Sequence, residues 1–159
     1  MRNIRLLVDI KEDYKESLAI LVRNLQPLVK HLSQPGVSGK IMIVISGRRP
    51  PPSEYQDYPS YIYFDDDLRL LHTATAWTRV GLVSLQFSKF STWKGEGAVK
   101  KEDLERIEKV IDSVHHAGKM IRFWGAPDTQ LSWECQLKWG ADLIGTDKIE
   151  LLANFLRRK

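Results

Sequence analysis

The stretch KMIRFWGAPDTQLSWECQLKWGADLIGTD, residues 119–147, decides the predicted fold of this chain. It starts with a short apolar run, turns through Gly-Ala-Pro-Asp into a segment with a helical pattern, and ends with a second apolar run after Gly140. Asp128 and Thr129 belong to the residue types that cap helix N-termini, and glycine is favoured just beyond a helix C-terminus. The stretch therefore predicts two strands joined by a helix, which is the unit from which parallel α/β sheets are built.

The same alternation continues on both sides of this stretch. Residues 148–159, KIELLANFLRRK, predict a closing helix capped by Asp147. Upstream, residues 100–118 predict the clearest helix of the chain, because apolar side chains recur on one stripe and Gly118 follows as a stop signal. The stripe consists of Leu104, Ile107, Ile111 and Val114.

The N-terminal half adds four strand candidates and one helix. The helix is predicted over residues 13–32, with a kink or restart at Pro27, which lacks a backbone donor. The strand candidates are NIRLLVDIKED (3–13), KIMIVISG (40–47), YIYFDDDLRLL (61–71) and RVGLVSLQFS (79–88). The second of them is nearly all apolar, as in a strand covered on both faces of a parallel sheet. The chain is thus predicted to be an α/β protein, either doubly wound or part of a barrel.

The composition is that of a globular chain. With 159 residues, 43% of them hydrophobic and 28% charged, the chain is predicted to form a single domain over residues 1–159. The net charge of +4 is spread along the sequence, which suits an anionic small ligand and argues against nucleic acid as a partner. The sequence contains no transmembrane run, and a cytoplasmic location is expected if Met1 is the native start. The single cysteine, Cys135, excludes an internal disulfide.

Ligands of parallel α/β folds bind beyond the C-terminal ends of the strands, so the residues there are the candidate site. Asp9 and Lys11 lie two positions apart and therefore on one face, and so do Arg122 and Trp124 at another strand end. Arg48 suits phosphate recognition, because a guanidinium group donates forked hydrogen bonds. The remaining strand-end residues are Ser46, Gly47, Arg49, Asp65, Asp66, Asp67, Gln86, Ser88, Thr146 and Asp147.

Each of these candidates has a structural alternative. Asp9 and Lys11 can form a salt bridge at a solvated strand end, and Trp124 can pack in a core. An arginine on an exposed loop is commonly inert. The acidic run at 65–67 offers oxygen ligands to a hard cation but is equally typical of a turn that faces water. The residues alone leave these alternatives open.

Several segments resemble the phosphatidylinositol-specific phospholipase C-like phosphodiesterases, a superfamily that includes the glycerophosphodiester phosphodiesterases. They are LLVDIK (6–11), IMIVISGRRP (41–50), YFDDDL (63–68), IRFWGAPDT (121–129) with Trp133, and GADLIGTDKIELLANFL (140–156). The resemblance implies a (β/α)8 barrel, of which this chain supplies the C-terminal part as a partial TIM-type barrel with about six βα units. It also implies cleavage of a small phosphodiester or of a lipid head group, assisted by Mg²⁺ or Ca²⁺ and by two histidines.

The resemblance assigns roles to individual residues. It implies that Asp9 joins the metal shell, that Lys11 contacts the phosphate and that Trp124 forms an aromatic wall beside the substrate. Arg48 and Arg122, from the strand-end argument, complete the predicted substrate-binding set.

The catalytic histidines of the superfamily lie on the first strands of its barrel, and this chain begins at a strand that resembles a later one. The four histidines, His31, His72, His115 and His116, lie in helices or irregular stretches of the predicted fold. No catalytic residue is therefore predicted, and the chain alone is expected to lack turnover. The leading hypothesis is a phosphoric diester hydrolase-like protein of lipid metabolism without its catalytic strands. Its alternatives are a non-catalytic half-barrel module that assembles as a homo-oligomer, first of all a dimer, and a fragment without function of its own.

Overall fold

A computed structural model describes residues 4–158 as six β-strands that alternate with helices. The strands are β1 (Ile4–Ile10), β2 (Ile41–Gly47), β3 (Ile62–Asp66), β4 (Val80–Gln86), β5 (Ile121–Trp124) and β6 (Leu143–Ile144). The α-helices are α1 (Tyr14–Leu25), α2 (Ala74–Thr78), α3 (Lys101–His116), α4 (Gln130–Trp139) and α5 (Ile149–Arg157). Short 3₁₀ segments lie at Gln26–His31, Pro52–Asp57 and Phe87–Lys89. Met1, on which the predicted location depends, lies outside the described residues.

The strands follow one another in the sheet in chain order, from β1 to β6. The pairs β1–β2, β2–β3, β4–β5 and β5–β6 are parallel. A doubly wound sheet reverses its strand order at a switch point, whereas a (β/α) barrel adds each strand beside the one before it. The observed order confirms the predicted α/β fold, a partial (β/α) barrel whose six strands alternate with helical segments.

Two compact units make up the described chain, residues 4–82 and residues 83–158, and their boundary falls within β4. The first unit contains β1 to β3 with α1 and α2, and the second contains β5 and β6 with α3 to α5. The single domain expected over residues 1–159 stays a prediction.

The two faces of the strands in the first unit have different neighbours. Phe64 of β3 packs on the helical layer, where the ring of Tyr55 stacks on it with centroids 3.9 Å apart. Arg5 of β1 lies on the opposite face by register, and its Nε donates to the carbonyl of Gly81 on β4 at 3.3 Å. This bond passes over β2 and β3, so the strands of this unit curve towards the face of Arg5. That face is called the inner face of the first unit.

In the second unit, one face of β5 carries the aromatic core. The rings of Phe123 and Phe87 lie 6.1 Å apart, and Phe87 stacks on Trp139 of α4. Successive side chains of a strand point to opposite faces. Arg122 and Trp124 therefore lie on the other face of β5, away from this aromatic layer.

The connection that leads into β3 is held by Arg79, which is only 3% exposed. Its guanidinium donates to the carbonyls of Tyr58 at 3.2 Å, Pro59 at 2.6 Å and Ile62 at 2.6 Å. Burial lowers the pKa of Arg79 below its ordinary value, because the charged form loses hydration. The carbonyl oxygens replace the lost water, so this charged side chain ties two backbone segments together.

The ends of α4 follow the predicted signals, whereas the start of α5 does not. Thr129 caps α4 through a hydrogen bond from the backbone of Ser132, and Gly140 ends it in the left-handed region with φ 100°. Asp147 was expected to cap α5, and this prediction is wrong. The backbone N–H of Asp147 donates instead to the side chain of Asp128 at 2.9 Å, because that carboxylate holds the loop before α5.

Two further segments show where the sequence pattern is incomplete. The helix predicted over residues 13–32 is divided: α1 ends at Leu25 and a 3₁₀ segment starts at Gln26, one residue before Pro27. The short helix α2, capped by Thr73, stands between β3 and β4, where the sequence predicts no helix. Within residues 4–158, none of the helices has the length and apolar character that crossing a membrane requires.

Candidate functional site

Three polar side chains stand at the C-terminal ends of β1, β2 and β3 on the inner face. Asp9 pairs in register with Ser46, and Ser46 Oγ donates to Asp65 Oδ2 at 2.8 Å. Asp65 is 4% exposed, whereas the side chain of Asp9 is 48% exposed. The first unit thus presents one buried and one accessible carboxylate at the end where ligands of barrel folds bind.

Lys11 forms an ion pair with Asp9, with 2.6 Å between Nζ and Oδ2. Both side chains are exposed, so the pair contributes less than about 1 kcal/mol to stability. Gly47 lies under the carboxylate with φ 72°, and a side chain at this position would overlap Asp9 Oδ1. Glycine therefore lets the Asp9 carboxylate lie against the end of β2.

The residues around Asp9 do not fit a divalent cation. Calcium takes six to eight oxygen ligands, and magnesium demands near-octahedral geometry. The described part of the chain contains no group of three or more His, Cys, Asp or Glu side chains placed to hold a metal ion. Asp9 has Lys11 as its counter-ion, and Asp65 accepts from Ser46.

The helical side of β3 ends in a buried charge cluster of Asp66, Asp67, Arg49 and His72. Asp66 is 3% exposed, and its Oδ2 lies 2.8 Å from His72 Nε2 and 3.9 Å from Arg49 Nη2. Arg49 also pairs with Asp67 at 3.3 Å. The contact of His72 with Asp66 was not predicted from the sequence. It forms because a loop returns the chain to the strand, and no periodic pattern marks such a return. His72 lies on the helical side, so it does not join the inner-face residues.

A pocket of about 350 Å³ opens at the C-terminal ends of β5 and β6. Arg122 lies in its wall, and its Nε donates to Ser84 Oγ of β4 at 2.7 Å. Trp124 stands beside it with 47% of its surface exposed. The other lining residues are Gly125, Ala126, Asp128, Gly145, Thr146 and Asp147. The pocket thus combines a fixed cation with an accessible aromatic ring.

Asp128 closes one side of this pocket through a set of hydrogen bonds. Its Oδ1 accepts from Trp133 Nε1 at 2.8 Å and from Thr146 Oγ1 at 2.7 Å, and its Oδ2 accepts from the Asp147 backbone at 2.9 Å. Burial raises the pKa of Asp128, but these hydrogen bonds and the charge of Lys148 outweigh it and leave the pKa below its ordinary value. Asp128 therefore joins the loop after β5 to the loop after β6 as an ionised carboxylate.

No protein-family model and no curated protein matches this chain. Its fold is similar to that of a solved EAL domain protein from Listeria monocytogenes EGD-e, with a TM-score of 0.50 and 14% sequence identity. The match covers 89% of this chain, which spans 57% of the length of that structure's chain. At this identity the likeness concerns the fold.

These comparisons overturn the resemblance to the phospholipase C-like phosphodiesterases. The matching fold is that of an EAL domain protein, and no family model supports the phospholipase C-like superfamily. A physical reason lies in two of the motifs that suggested it, IRFWGAPDT and GADLIGTD. The Thr146 hydroxyl and the Asp147 backbone N–H of the second motif both donate to the Asp128 carboxylate of the first. These two motifs therefore reflect a strand–loop–helix arrangement and not the chemistry of one superfamily.

The predicted site residues fall into both units. Asp9, Lys11 and Arg48 belong to residues 4–82, whereas Arg122 and Trp124 belong to residues 83–158. Within its unit, Lys11 contacts Asp9, and Arg122 and Trp124 line one pocket. Arg48 lines a different cavity, beyond the end of β2. That Asp9, Lys11 and Trp124 serve one site, as the strand-end argument expects, stays a prediction.

Proposed function

We propose that this chain is a phosphodiester-binding module with a phosphodiesterase-like α/β fold, and that it holds its ligand without hydrolysing it. The observation that carries the proposal is the pocket at the ends of β5 and β6, where Arg122 and Trp124 stand on one face. The guanidinium meets the phosphate oxygens, and the indole packs against an aromatic or apolar substituent.

The surroundings of Arg122 support this assignment. The bond from Nε to Ser84 Oγ fixes the plane of the guanidinium, which reduces the side-chain entropy lost on binding. Its position at the C-terminal end of parallel strands is the usual place for ligands in such folds. The pocket volume of about 350 Å³ lies in the range of small-molecule sites.

Hydrolysis of a phosphodiester by acid–base chemistry needs groups within hydrogen-bonding reach of the scissile bond. Of the titratable groups in the described wall of this pocket, Asp147 is exposed and Asp128 is engaged in hydrogen bonds, and no histidine is present. His72 belongs to the first unit and pairs with Asp66. Binding without turnover is therefore the expected behaviour.

The test is a calorimetric titration with bis(4-nitrophenyl) phosphate, a diester whose aromatic rings suit Trp124. Arg122→Ala is expected to weaken binding by about tenfold to hundredfold, because a hydrogen bond to a charged group is lost. Trp124→Leu is expected to weaken it by about tenfold, through loss of ring stacking. Arg157→Ala, which removes an exposed arginine near the end of α5, serves as the matched control and leaves binding unchanged.

Two results would reject the proposal. One is affinity that neither variant changes, with circular dichroism showing both variants folded. The other is release of 4-nitrophenolate by the unaltered chain, since turnover contradicts a binding module. If the unaltered chain releases 4-nitrophenolate and Arg122→Ala does not, the same pocket is the active site of an enzyme.

A second candidate function is assembly with another copy of the chain. β1 stands at one edge of the sheet, and its apolar residues Ile4 and Leu6 are 61% and 50% exposed. A strand at a sheet edge presents unpaired backbone groups that recruit another strand. Pairing of two β1 strands satisfies these groups and covers both side chains.

Light scattering over a wide range of protein concentration tests this candidate. The expected mass is twice the 18.4 kDa of one chain, and Leu6→Lys is expected to shift the distribution towards single chains. Ser53→Lys, at an exposed position in the 3₁₀ segment after β2, is the matched control. A mass that stays at 18.4 kDa at every concentration would end the assembly idea.

A further inference from the structure

The first unit contains a separate cavity of about 420 Å³ beyond the ends of β2 and β3. Its walls come from the proline-rich segment after β2 and from the loop after β3. The lining includes Arg48, Arg49, Tyr55, Asp67, Arg69 and Leu70. The consecutive prolines fix the backbone of one wall, because each locks its φ angle.

The charges in this wall do not balance. Three guanidinium groups, those of Arg48, Arg49 and Arg69, face one carboxylate, Asp67. Asp67 is shared by Arg49 at 3.3 Å and Arg69 at 2.5 Å. Arg48 has no ion-pair partner among residues 4–158, whereas Arg49 also lies 3.9 Å from the buried carboxylate of Asp66. With Asp66 counted, the three guanidinium groups exceed the carboxylates by about one positive charge.

Tyr55 adds a hydrogen-bond donor to this wall. Its side chain is fully buried, with the ring stacked on Phe64, and its hydroxyl lies beside the guanidinium of Arg49. No atom of the described residues accepts the hydroxyl proton, since an arginine carries donors alone. Burial raises the pKa of Tyr55 to about 12, against the opposing effect of Arg49, so the hydroxyl keeps its proton at neutral pH. A buried donor without an acceptor is costly, and an acceptor that enters the cavity would satisfy it.

We infer that this cavity binds a small organic phosphate monoester. The phosphate takes donors from Arg48, Arg49 and Tyr55, and its negative charge meets the excess positive charge of the wall. The cavity is larger than a phosphate group needs, and its proline wall and Leu70 supply apolar surface for the organic part. This inference is independent of the pocket at Arg122, because it rests on residues 47–70 alone.

Calorimetric titration of the full chain with phenyl phosphate and with inorganic phosphate tests the inference. We expect phenyl phosphate to bind more tightly than inorganic phosphate, because the ring adds contacts with the apolar wall. Tyr55→Phe keeps the stacked ring and removes the donor, and it is expected to weaken phenyl phosphate binding by about tenfold. Arg48→Ala removes an exposed, unpaired cation and is expected to weaken it by a similar factor.

The control variant is Arg157→Ala, which removes an exposed arginine near the end of α5 and is expected to leave phenyl phosphate affinity unchanged. Three outcomes would overturn the inference. The first is affinity for phenyl phosphate that Tyr55→Phe and Arg48→Ala both leave unchanged. The second is equal affinity for phenyl and inorganic phosphate, which assigns the cavity to free phosphate. The third is loss of binding in Arg122→Ala alone, which moves the ligand to the other pocket.

Discussion

Arg79→Ala is expected to lower the free energy of unfolding by about 3 kcal/mol or more, because three carbonyl groups, one buried and two partly buried, lose this donor at about 1 to 3 kcal/mol each. These are the carbonyls of Tyr58, Pro59 and Ile62, which accept from the buried guanidinium. The variant also removes a cation placed 5.9 Å from the ring centroid of Phe64. Urea unfolding followed by circular dichroism measures the change.

Arg79→Lys keeps the charge but not the planar fork, and it is expected to recover part of the loss. Arg23→Ala, at an exposed position of α1, is the matched control and is expected to change stability by less than about 0.5 kcal/mol. Equal stability of Arg79→Ala and Arg23→Ala would show that the hydrogen bonds of the Arg79 guanidinium do not stabilise the fold.

Asp128→Ala is expected to lower the free energy of unfolding by about 2 to 4 kcal/mol at neutral pH, because its ionised carboxylate accepts three hydrogen bonds. The pKa of Asp128 is lower in the folded chain than its ordinary value. Its contribution is therefore fully present above the ordinary aspartate pKa, about 3.9, and is lost as the pH falls through the lower folded pKa.

Unfolding of the unaltered chain and of Asp128→Asn, measured from neutral to strongly acidic pH, checks this dependence. The gap between the two is expected to close at the acid end. Asp112→Ala, at an exposed position of α3, is expected to leave stability unchanged at every pH. A gap between the unaltered chain and Asp128→Asn that is the same at every pH would contradict the assignment of an ionised carboxylate.

Much of the fold was predictable from local pattern. The strand and helix of residues 119–147 follow from hydrophobic periodicity and from the cap residues Thr129 and Gly140, which act within one turn. The sequential sheet order was one of two predicted possibilities, because both architectures use the same βα units. The pairing of strands decides between them, and it depends on contacts distant in sequence.

The side chains that the sequence missed act through such distant contacts. Arg79 is buried against carbonyls seventeen to twenty-one residues away, although an arginine is typically exposed. His72 reaches Asp66 only because the intervening loop folds back. Tyr55 lies in a proline-rich segment predicted as a loop, and its burial against Phe64 has no periodic signal. Charge and aromatic character were visible in the sequence, whereas burial and partners were not.

The candidate site was predictable only in part, because the sequence shows the character of a side chain but not its burial or its partners. Alternation along a strand placed Arg122 and Trp124 on one face, and the structure brings both into one pocket. The same rule placed Lys11 beside Asp9, but as an exposed ion pair. The family resemblance failed because its short motifs describe how Asp128 joins two loops, a structural demand that different chemistries share.

The most direct test of the proposed phosphodiester site is the NMR spectrum of the indole N–H groups during titration with bis(4-nitrophenyl) phosphate. The chain has five tryptophans, so five indole signals are expected. We predict that the signal of Trp124, assigned through Trp124→Leu, shifts with the ligand while that of Trp93, whose indole donates to the carbonyl of Glu96, does not. A titration in which the Trp124 signal stays in place while the ligand binds would contradict the account.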